Sequence, residues 1–309
     1  MGTTVPSKLL FTRVGKMQSV SVCICAYNEA NNIEKAIRSL YEQKIEDFEL
    51  KKTYVVSSAS TDDTDKIVTQ LMDEYATLEL IVQKSREGKI SAINAMLDKA
   101  DTDIVILFNA DNVFNDNNCL MPLLAPFNDP KTGIVGGRPI PTNDISTFIG
   151  FASHMIWEMH HNISLKAPKI GELVAFRNLG VRPAMGKQCD EDILKMELEK
   201  LGYNSVYAPE AVVLNRGPDT VKDFLKQRLR VNVGEQYMKK DYDFKVPTWD
   251  KKLVFHSTMD SVKSLGFHPL KLLFAMSLEF YCRAKAKIHV SKQKDIMATW
   301  DVVESTKKL

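Results

Sequence analysis

Short apolar runs and polar breaks alternate regularly through the first 110 or so residues. Residues 19–26 (SVSVCICA) have the β-branched, apolar character of a buried strand. After the break Tyr27-Asn28-Glu29, the segment 31–42 places Ile33, Ile37 and Leu40 at helical spacing. The unit then repeats. Residues 53–56 predict a second strand and 57–64 a polar run; Ile67, Val68, Leu71, Met72 and Tyr75 fall on the buried face of a helix whose first turn is expected to hold Asp62 and Asp63, where the macrodipole favours negative charge. A third strand over 78–83 leads through Ser85-Arg86-Glu87-Gly88-Lys89 into a helix carrying Ile90, Ile93 and Leu97. The fourth strand, Val105-Ile106-Leu107-Phe108, is apolar throughout, as a strand buried on both faces must be, and runs into Asn109-Ala110-Asp111-Asn112. Such a series predicts an α/β fold whose mostly parallel sheet is joined by right-handed crossovers and flanked by helices.

In an open parallel sheet, ligands collect beyond the carboxyl ends of the strands, so Asp111 stands where chemistry is expected. Turn chemistry alone, with Asn109 and Asp111 bonding their own backbone, is the simpler reading of the same cluster. Further on, 119–127 reads as a short helix and 134–138 (IVGGR) as a strand whose paired glycines imply close backbone approach. Residues 145–162 form a long segment containing His154, His160 and His161, which read as surface or hydrogen-bonded core residues because no second metal-ligand spacing accompanies them. A strand over 173–177 precedes Asp190-Glu191-Asp192, three acids opening a helix with Leu194, Leu198 and Leu201, closed by Gly202. Helix-dipole capping explains such a cluster; mutual repulsion, which raises a carboxyl pKa and suits a general base, is the other reading. A basic helix is expected over 220–240 and another from Pro269 to about 287; 251–265 is undecided. The boundaries are thus a leader (1–18), an α/β domain (19–219) and a basic helical region (220–309) packed on it.

Charge adds one thing. The net charge is only +2, yet residues 222–294 hold sixteen Lys/Arg against seven Asp/Glu, so the rest of the chain is net acidic. A solvated basic face accounts for this; so does a surface facing phosphates or an anionic membrane, and nothing points to nucleic acid. The apolar block 272–278 is too short to span a bilayer, which takes roughly 20 residues, but a helix lying in the interface fits, with Arg283, Lys285 and Lys287 following it. The five cysteines are scattered without metal spacing and read as reduced core thiols. No charged segment leading into an apolar core and cleavage site opens the chain, so the expectation is a cytoplasmic protein, with peripheral contact at the inner face of the membrane left open.

Taken together, Ala26-Tyr27-Asn28-Glu29, Ser60-Thr61-Asp62-Asp63-Thr64, Arg86-Glu87-Gly88-Lys89 with Ala92 and Asn94, Asn109-Ala110-Asp111, Asp190-Glu191-Asp192 before Gly202-Tyr203, and Gln227-Arg228-Leu229-Arg230 resemble the family 2 inverting glycosyltransferases of the GT-A fold. The resemblance covers about residues 19–235. It implies transfer of a sugar from a nucleoside-diphosphate donor to a saccharide or lipid-linked acceptor. Asp111 would hold Mg²⁺ or Mn²⁺, which suit hard oxygen ligands and phosphates. Arg86 and Lys89 would meet the nucleotide or its phosphates, Ala26, Tyr27, Glu29 and Ser58 would line the nucleoside pocket, and Asn109 and Ala110 would flank the metal. The base falls on Glu191 when the alignment is counted back from Gly202, with Asp190 before it, and on Asp192 when residue identity is matched; the shorter carboxylate is slightly preferred. Gln227 and Arg230, one helical turn apart, would reach the same site. Three departures matter. Asn109 replaces a first metal-motif aspartate, Ser58 replaces the aspartate that commonly reads the base and leaves UDP only as the default, and Val231 replaces a tryptophan of processive synthases. Two rival readings remain, a non-catalytic nucleotide- or glycan-binding module and a sugar-nucleotide pyrophosphorylase; the latter lacks its Gly-rich phosphate loop here.

Overall fold

The computed structural model describes residues 17–184, 189–292 and 303–307; the leader expected over 1–18 lies almost wholly outside them. Four strands, β1 (Gln18–Ala26), β2 (Phe48–Ser57), β3 (Leu78–Val82) and β4 (Ile104–Asn109), alternate with helices α1 (Ile33–Tyr41), α2 (Thr64–Met72) and α3 (Lys89–Leu97). All four are parallel, in the order β3-β2-β1-β4. Past β4 the sheet becomes mixed. β5 (Asn112–Phe114), β6 (Thr132–Pro141), β7 (Leu173–Arg177) and β8 (Asn204–Asn215) complete the order β4-β7-β6-β8-β5, with β7 antiparallel to both its neighbours and β8 parallel to β6.

Side-chain alternation on β1 divides the core. Val20, Val22, Ile24 and Ala26 face one apolar layer, shared with Ile33, Ile37 and Leu40 of α1 and with α4 (Leu120–Leu124). Cys23 and Cys25 face the other, with α3 and with Leu194 and Leu198 of α6 (Asp190–Lys200), their sulfurs 3.8 Å apart as free thiols. The sheet is therefore covered on both sides, and its carboxyl edge is left open.

Four expectations need correction. β8 was not foreseen, because Pro209 and Glu210 interrupt its apolar pattern; the structure places both where the β6–β8 register shifts, so Pro209's missing N–H costs no ladder bond. The undecided segment is a helix, α8 (Lys251–Leu265), opened by Asp250, whose carboxylate accepts from the N–H groups of Lys252 and Leu253. Met72, expected on the buried face of its helix, is 37% exposed at the helix end. Helix α2 itself starts at Thr64, so Asp62 and Asp63 precede its first turn. The close approach at Gly137 is real, since a Cβ there would stand 2.7 Å from Ala211 O and from Leu173 Cδ2.

Helices α5 (Phe148–Ser164), α7 (Val221–Tyr242) and α9 (Pro269–Ser291) stand together beside the open edge. Phe224, Ala152 and Ala275 pack at their junction. Arg228 donates to Glu279 at 2.9 and 3.0 Å, and Arg283 donates to the same carboxylate at 2.9 Å, tying α7 to α9.

Candidate active site

The open edge is a cleft of about 460 Å³ between the ends of β1, β2 and β4 on one side and α5, α6 and α7 on the other. Every residue singled out from the sequence for donor, metal or base lines it. Positions far apart in the chain meet there because parallel strands all end at one edge.

At the end of β1, Asn28 adopts a left-handed conformation (φ 53°), and its side chain accepts from Thr61 N–H at 2.8 Å. Glu29 N–H donates to Thr64 Oγ1 at 2.8 Å, and Ala30 N–H to Asp62 at 3.1 Å. The Ser-Thr-Asp run thus braces the first loop. Ser58 N–H donates to Ala26 O at 2.9 Å while its own hydroxyl, buried at the cleft, has no protein partner among the described residues. The Arg86 guanidinium lies over the Tyr27 ring, 4.1 Å from its centre.

Beyond β4, Asn109 donates to Glu172 at 2.6 Å. Burial, and then the charge of Glu29, push the Asp111 carboxyl up to about 6. Burial and Asp111 likewise raise Glu172. Eight carboxylates and five cationic side chains line the cleft, so an added cation is electrostatically favoured there. Among the described residues no three His, Cys or acidic side chains form a ready-made metal cage. One aspartate at a strand end, with phosphate oxygens completing the shell, is the arrangement that suits Mg²⁺ or Mn²⁺, and these residues fit it.

The three acids at the start of α6 separate. Asp190 and Glu191 turn to Lys89, whose ammonium is 3.2 Å from the first and 2.6 Å from the second. Burial raises Asp190 to about 6; burial also pushes Glu191 upward, but Lys89 outweighs it and holds that carboxyl below its ordinary value. Asp192 faces Lys169 and Glu235, themselves paired at 2.6 Å, and burial lifts it to about 7 against the pull of Lys169. On α7, Gln227, Arg230 and Val231 line the cleft, while Arg228 turns away to Glu279.

Trp157, His160, Lys169, Glu172, Glu235 and Lys307 also line the cleft, and sequence reasoning gave none of them a place there. Glu172 carried one signal, a carboxylate abutting an apolar strand. Lys307 carried none; its ammonium reaches the carbonyls of Tyr27 and Asn28 at 2.5 and 2.8 Å and Glu29 at 2.5 Å. Of the three histidines, His154 bonds Asn143 O and His161 bonds the Tyr207 hydroxyl, both at 2.9 Å. His160 departs from the expectation of a satisfied histidine, because neither ring nitrogen has a partner among the described residues.

The sheet order, with its parallel half and reversed β7, and the cleft at its open edge define a GT-A fold. The sequence profile of glycosyl transferase family 2 matches residues 21–183, and the chain belongs to that family. It is 27% identical over 242 residues to probable glycosyltransferase YdaM of Bacillus subtilis, covering 72% of this chain and 56% of that protein. It is 30% identical over 175 residues to the O-antigen chain rhamnosyltransferase WbaN of Salmonella anatum, covering 52% of this chain and 54% of that one. The chain thus spans about half the length of these relatives. Among solved structures it is similar to the Pyrobaculum calidifontis mannosyltransferase PcManGT in complex with GDP-Man and Mn²⁺ (TM-score 0.58, 22% identity, 90% of this chain and 80% of that). It is also similar to Mycobacterium tuberculosis glucosyl-3-phosphoglycerate synthase in complex with Mn²⁺, UDP and glucosyl-3-phosphoglycerate (TM-score 0.50, 16% identity, 70% and 78%).

Proposed function

We propose that this chain is an inverting, metal-assisted glycosyltransferase that moves a hexosyl group from a nucleoside-diphosphate sugar to a hydroxyl of a saccharide or lipid-linked acceptor. The observation that carries this reading is that Asp111 and the acids opening α6 line one cleft although about 80 residues separate them. Mg²⁺ or Mn²⁺ held by Asp111 would supply Lewis-acid stabilisation of the departing diphosphate. Arg86 and Lys89 add positive charge at the same end, and the Ser58 hydroxyl, without a partner among the described residues, and the Ala26–Glu29 loop receive the nucleoside, UDP by default. Solved structures of the same fold hold GDP-Man in one case and UDP in another, so the fold by itself does not choose the base.

Inversion needs a base on the face opposite the diphosphate. Asp192 suits that role better than Glu191, which Lys89 holds at the Asp111 end. Asp192 looks toward α7, and its carboxyl titrates near 7, where a base is most effective. Lys169 beside it works against the burial that raises this carboxyl, and Gln227 and Arg230 complete that wall.

The C-terminal helices supply a second feature. Leu270, Leu273 and Phe280 are 71%, 67% and 75% exposed on α9, next to Lys271, Arg283, Lys285 and Lys287. No helix among the described residues is long and apolar enough to cross a membrane. An apolar stripe edged with cations supports peripheral contact with an anionic membrane, with the chain in the cytoplasm. Flotation with anionic vesicles tests this, and loss of co-flotation in L273E/F280E is expected.

The transferase reading is tested by incubating the protein with Mn²⁺ and a panel of nucleotide sugars, with and without lipid extract, and measuring nucleoside diphosphate. Release by the wild type, absent in D111N and D192N, is expected. Saturable binding without turnover would make the chain a binding module, and pyrophosphate-dependent exchange a pyrophosphorylase.

A further inference from the structure

Glu172 stands just before β7, and the reversal of that strand brings it to the end of β4. Phe108 pairs with Leu173 in the antiparallel ladder, so the next position sets Glu172 against Asn109. The Asn109 amide donates to Glu172 Oε2 at 2.6 Å, and the Asn112 amide donates to the same oxygen at 3.4 Å. Asn109 closes β4 and Asn112 opens β5, so one carboxylate oxygen holds both flanks of the turn that carries Asp111. The Glu172 backbone is left-handed, with φ 60°, a conformation that a side chain of this size rarely adopts. Leu173 N–H closes a tight turn around it by donating to Gly171 O at 2.7 Å. Strain of this kind persists only where the surroundings impose it.

Charge points the same way. Glu172 and Asp111 are both half-buried and both line the cleft. After burial, the charge of Asp111 does most to raise the Glu172 carboxyl, so the two acids share one end of the cleft and repel each other. The ammonium groups nearby are engaged elsewhere, Lys89 with Asp190 and Glu191, and Lys307 with Glu29. A divalent cation at Asp111 relieves that repulsion, and its affinity rises with each negative charge beside it.

We propose that Glu172 is the positioning residue of the cation end of the cleft: through Asn109 and Asn112 it clamps the turn that carries Asp111, and it adds a second negative charge beside the cation. The proposal rests on the metal-assisted reading above and adds a residue, besides Asp111, on which cation affinity depends. It also requires an amide at position 109, because a carboxylate there would meet that of Glu172.

The test reads protein-bound Mn²⁺ on the full chain by water-proton relaxation enhancement with UDP or GDP present, alongside thermal unfolding of the metal-free protein. E172Q keeps the shape and an acceptor for Asn109 but loses the charge, and should weaken Mn²⁺ binding about tenfold. N109D sets two carboxylates against each other and should lower the melting temperature of the metal-free protein. N109D/E172Q exchanges carboxylate and amide across the same contact, and should return both the melting temperature and the Mn²⁺ affinity to within about twofold of wild type. E172G relaxes the left-handed backbone and serves where E172Q folds poorly; it must lose Mn²⁺ affinity too. A merely structural Glu172 would leave Mn²⁺ affinity unmoved in these folded variants, which would overturn the assignment. So would an exchange variant that melts like wild type without recovering affinity. Wild-type protein that binds no Mn²⁺ would end the metal-assisted reading and this assignment together. Mn²⁺ affinity that depends on Glu172, with no nucleotide sugar turned over, would keep the assignment and end the transferase reading alone.

Discussion

Replacing Asp192 by Asn should abolish transfer and yet stabilise the protein at alkaline pH. Burial is the chief reason its carboxyl rises from 3.8 to about 7; Lys169 opposes the rise, and Glu235 and Glu191 add to it. The folded chain therefore holds this proton more tightly than the unfolded chain does. Stability then falls as pH climbs from 3.8 to about 7 and is flat above, the reverse of a salt-bridged carboxylate. At about 1.36 kcal/mol per pH unit, the burden on the wild type is about 4 kcal/mol at pH 8 and about 1.5 kcal/mol at pH 5, as orders of magnitude. Asparagine carries no charge at either pH. The stability advantage of D192N over wild type should accordingly grow by about 2–3 kcal/mol from pH 5 to pH 8, read by urea unfolding followed by circular dichroism. Diphosphate release should drop at least about 100-fold, the usual worth of a general base. An advantage that does not change with pH would refute the buried, titrating aspartate; a variant keeping a tenth of wild-type turnover would refute its role as base.

Three further outcomes follow from the same geometry. Asp111→Asn should abolish Mn²⁺-dependent nucleotide binding by isothermal titration calorimetry, with the thermal unfolding of the apo protein unchanged or raised, since a buried carboxyl pushed to about 6 is lost; unchanged binding would place the metal elsewhere. Lys307→Ala should tighten binding of Mn²⁺ with nucleoside diphosphate about fivefold, equivalent to about 1 kcal/mol, because the ammonium now lies on the Tyr27–Glu29 loop that receives the nucleoside; weaker binding would make Lys307 a ligand contact. Glu279 is opposed by burial but held down to about 2 by Arg228 and Arg283, so its contribution is present above pH 4.5 and lost as pH falls toward 2. Glu279→Gln should cost about 3 kcal/mol at pH 7 and almost nothing near pH 2; a cost independent of pH would mean the carboxylate is not held by charge.

The donor half of the cleft was legible because its signals are local. Each strand of the first half is an apolar run that ends in its own polar loop, so spacing placed those loops at one sheet edge and singled out Asp111, while the roles of Tyr27, Ser58 and Arg86 came from the family resemblance. The base was not so legible. Asp190, Glu191 and Asp192 are neighbours of one chemical type, and what separates them is where each points: two toward Lys89 on α3, one toward Lys169 and Glu235. That direction is a property of helix packing.

The chain by itself fixed the parallel half of the sheet and the order of its motifs, because strand and helix periodicity are written in consecutive residues. Tertiary structure alone decided that β7 reverses, that β8 pairs with β6 across its proline, and that Trp157, His160, Glu172 and Lys307 meet the strand ends. Those outcomes depend on contacts between segments as much as 280 residues apart, and no local pattern of apolar and polar positions encodes which distant surface a side chain will face.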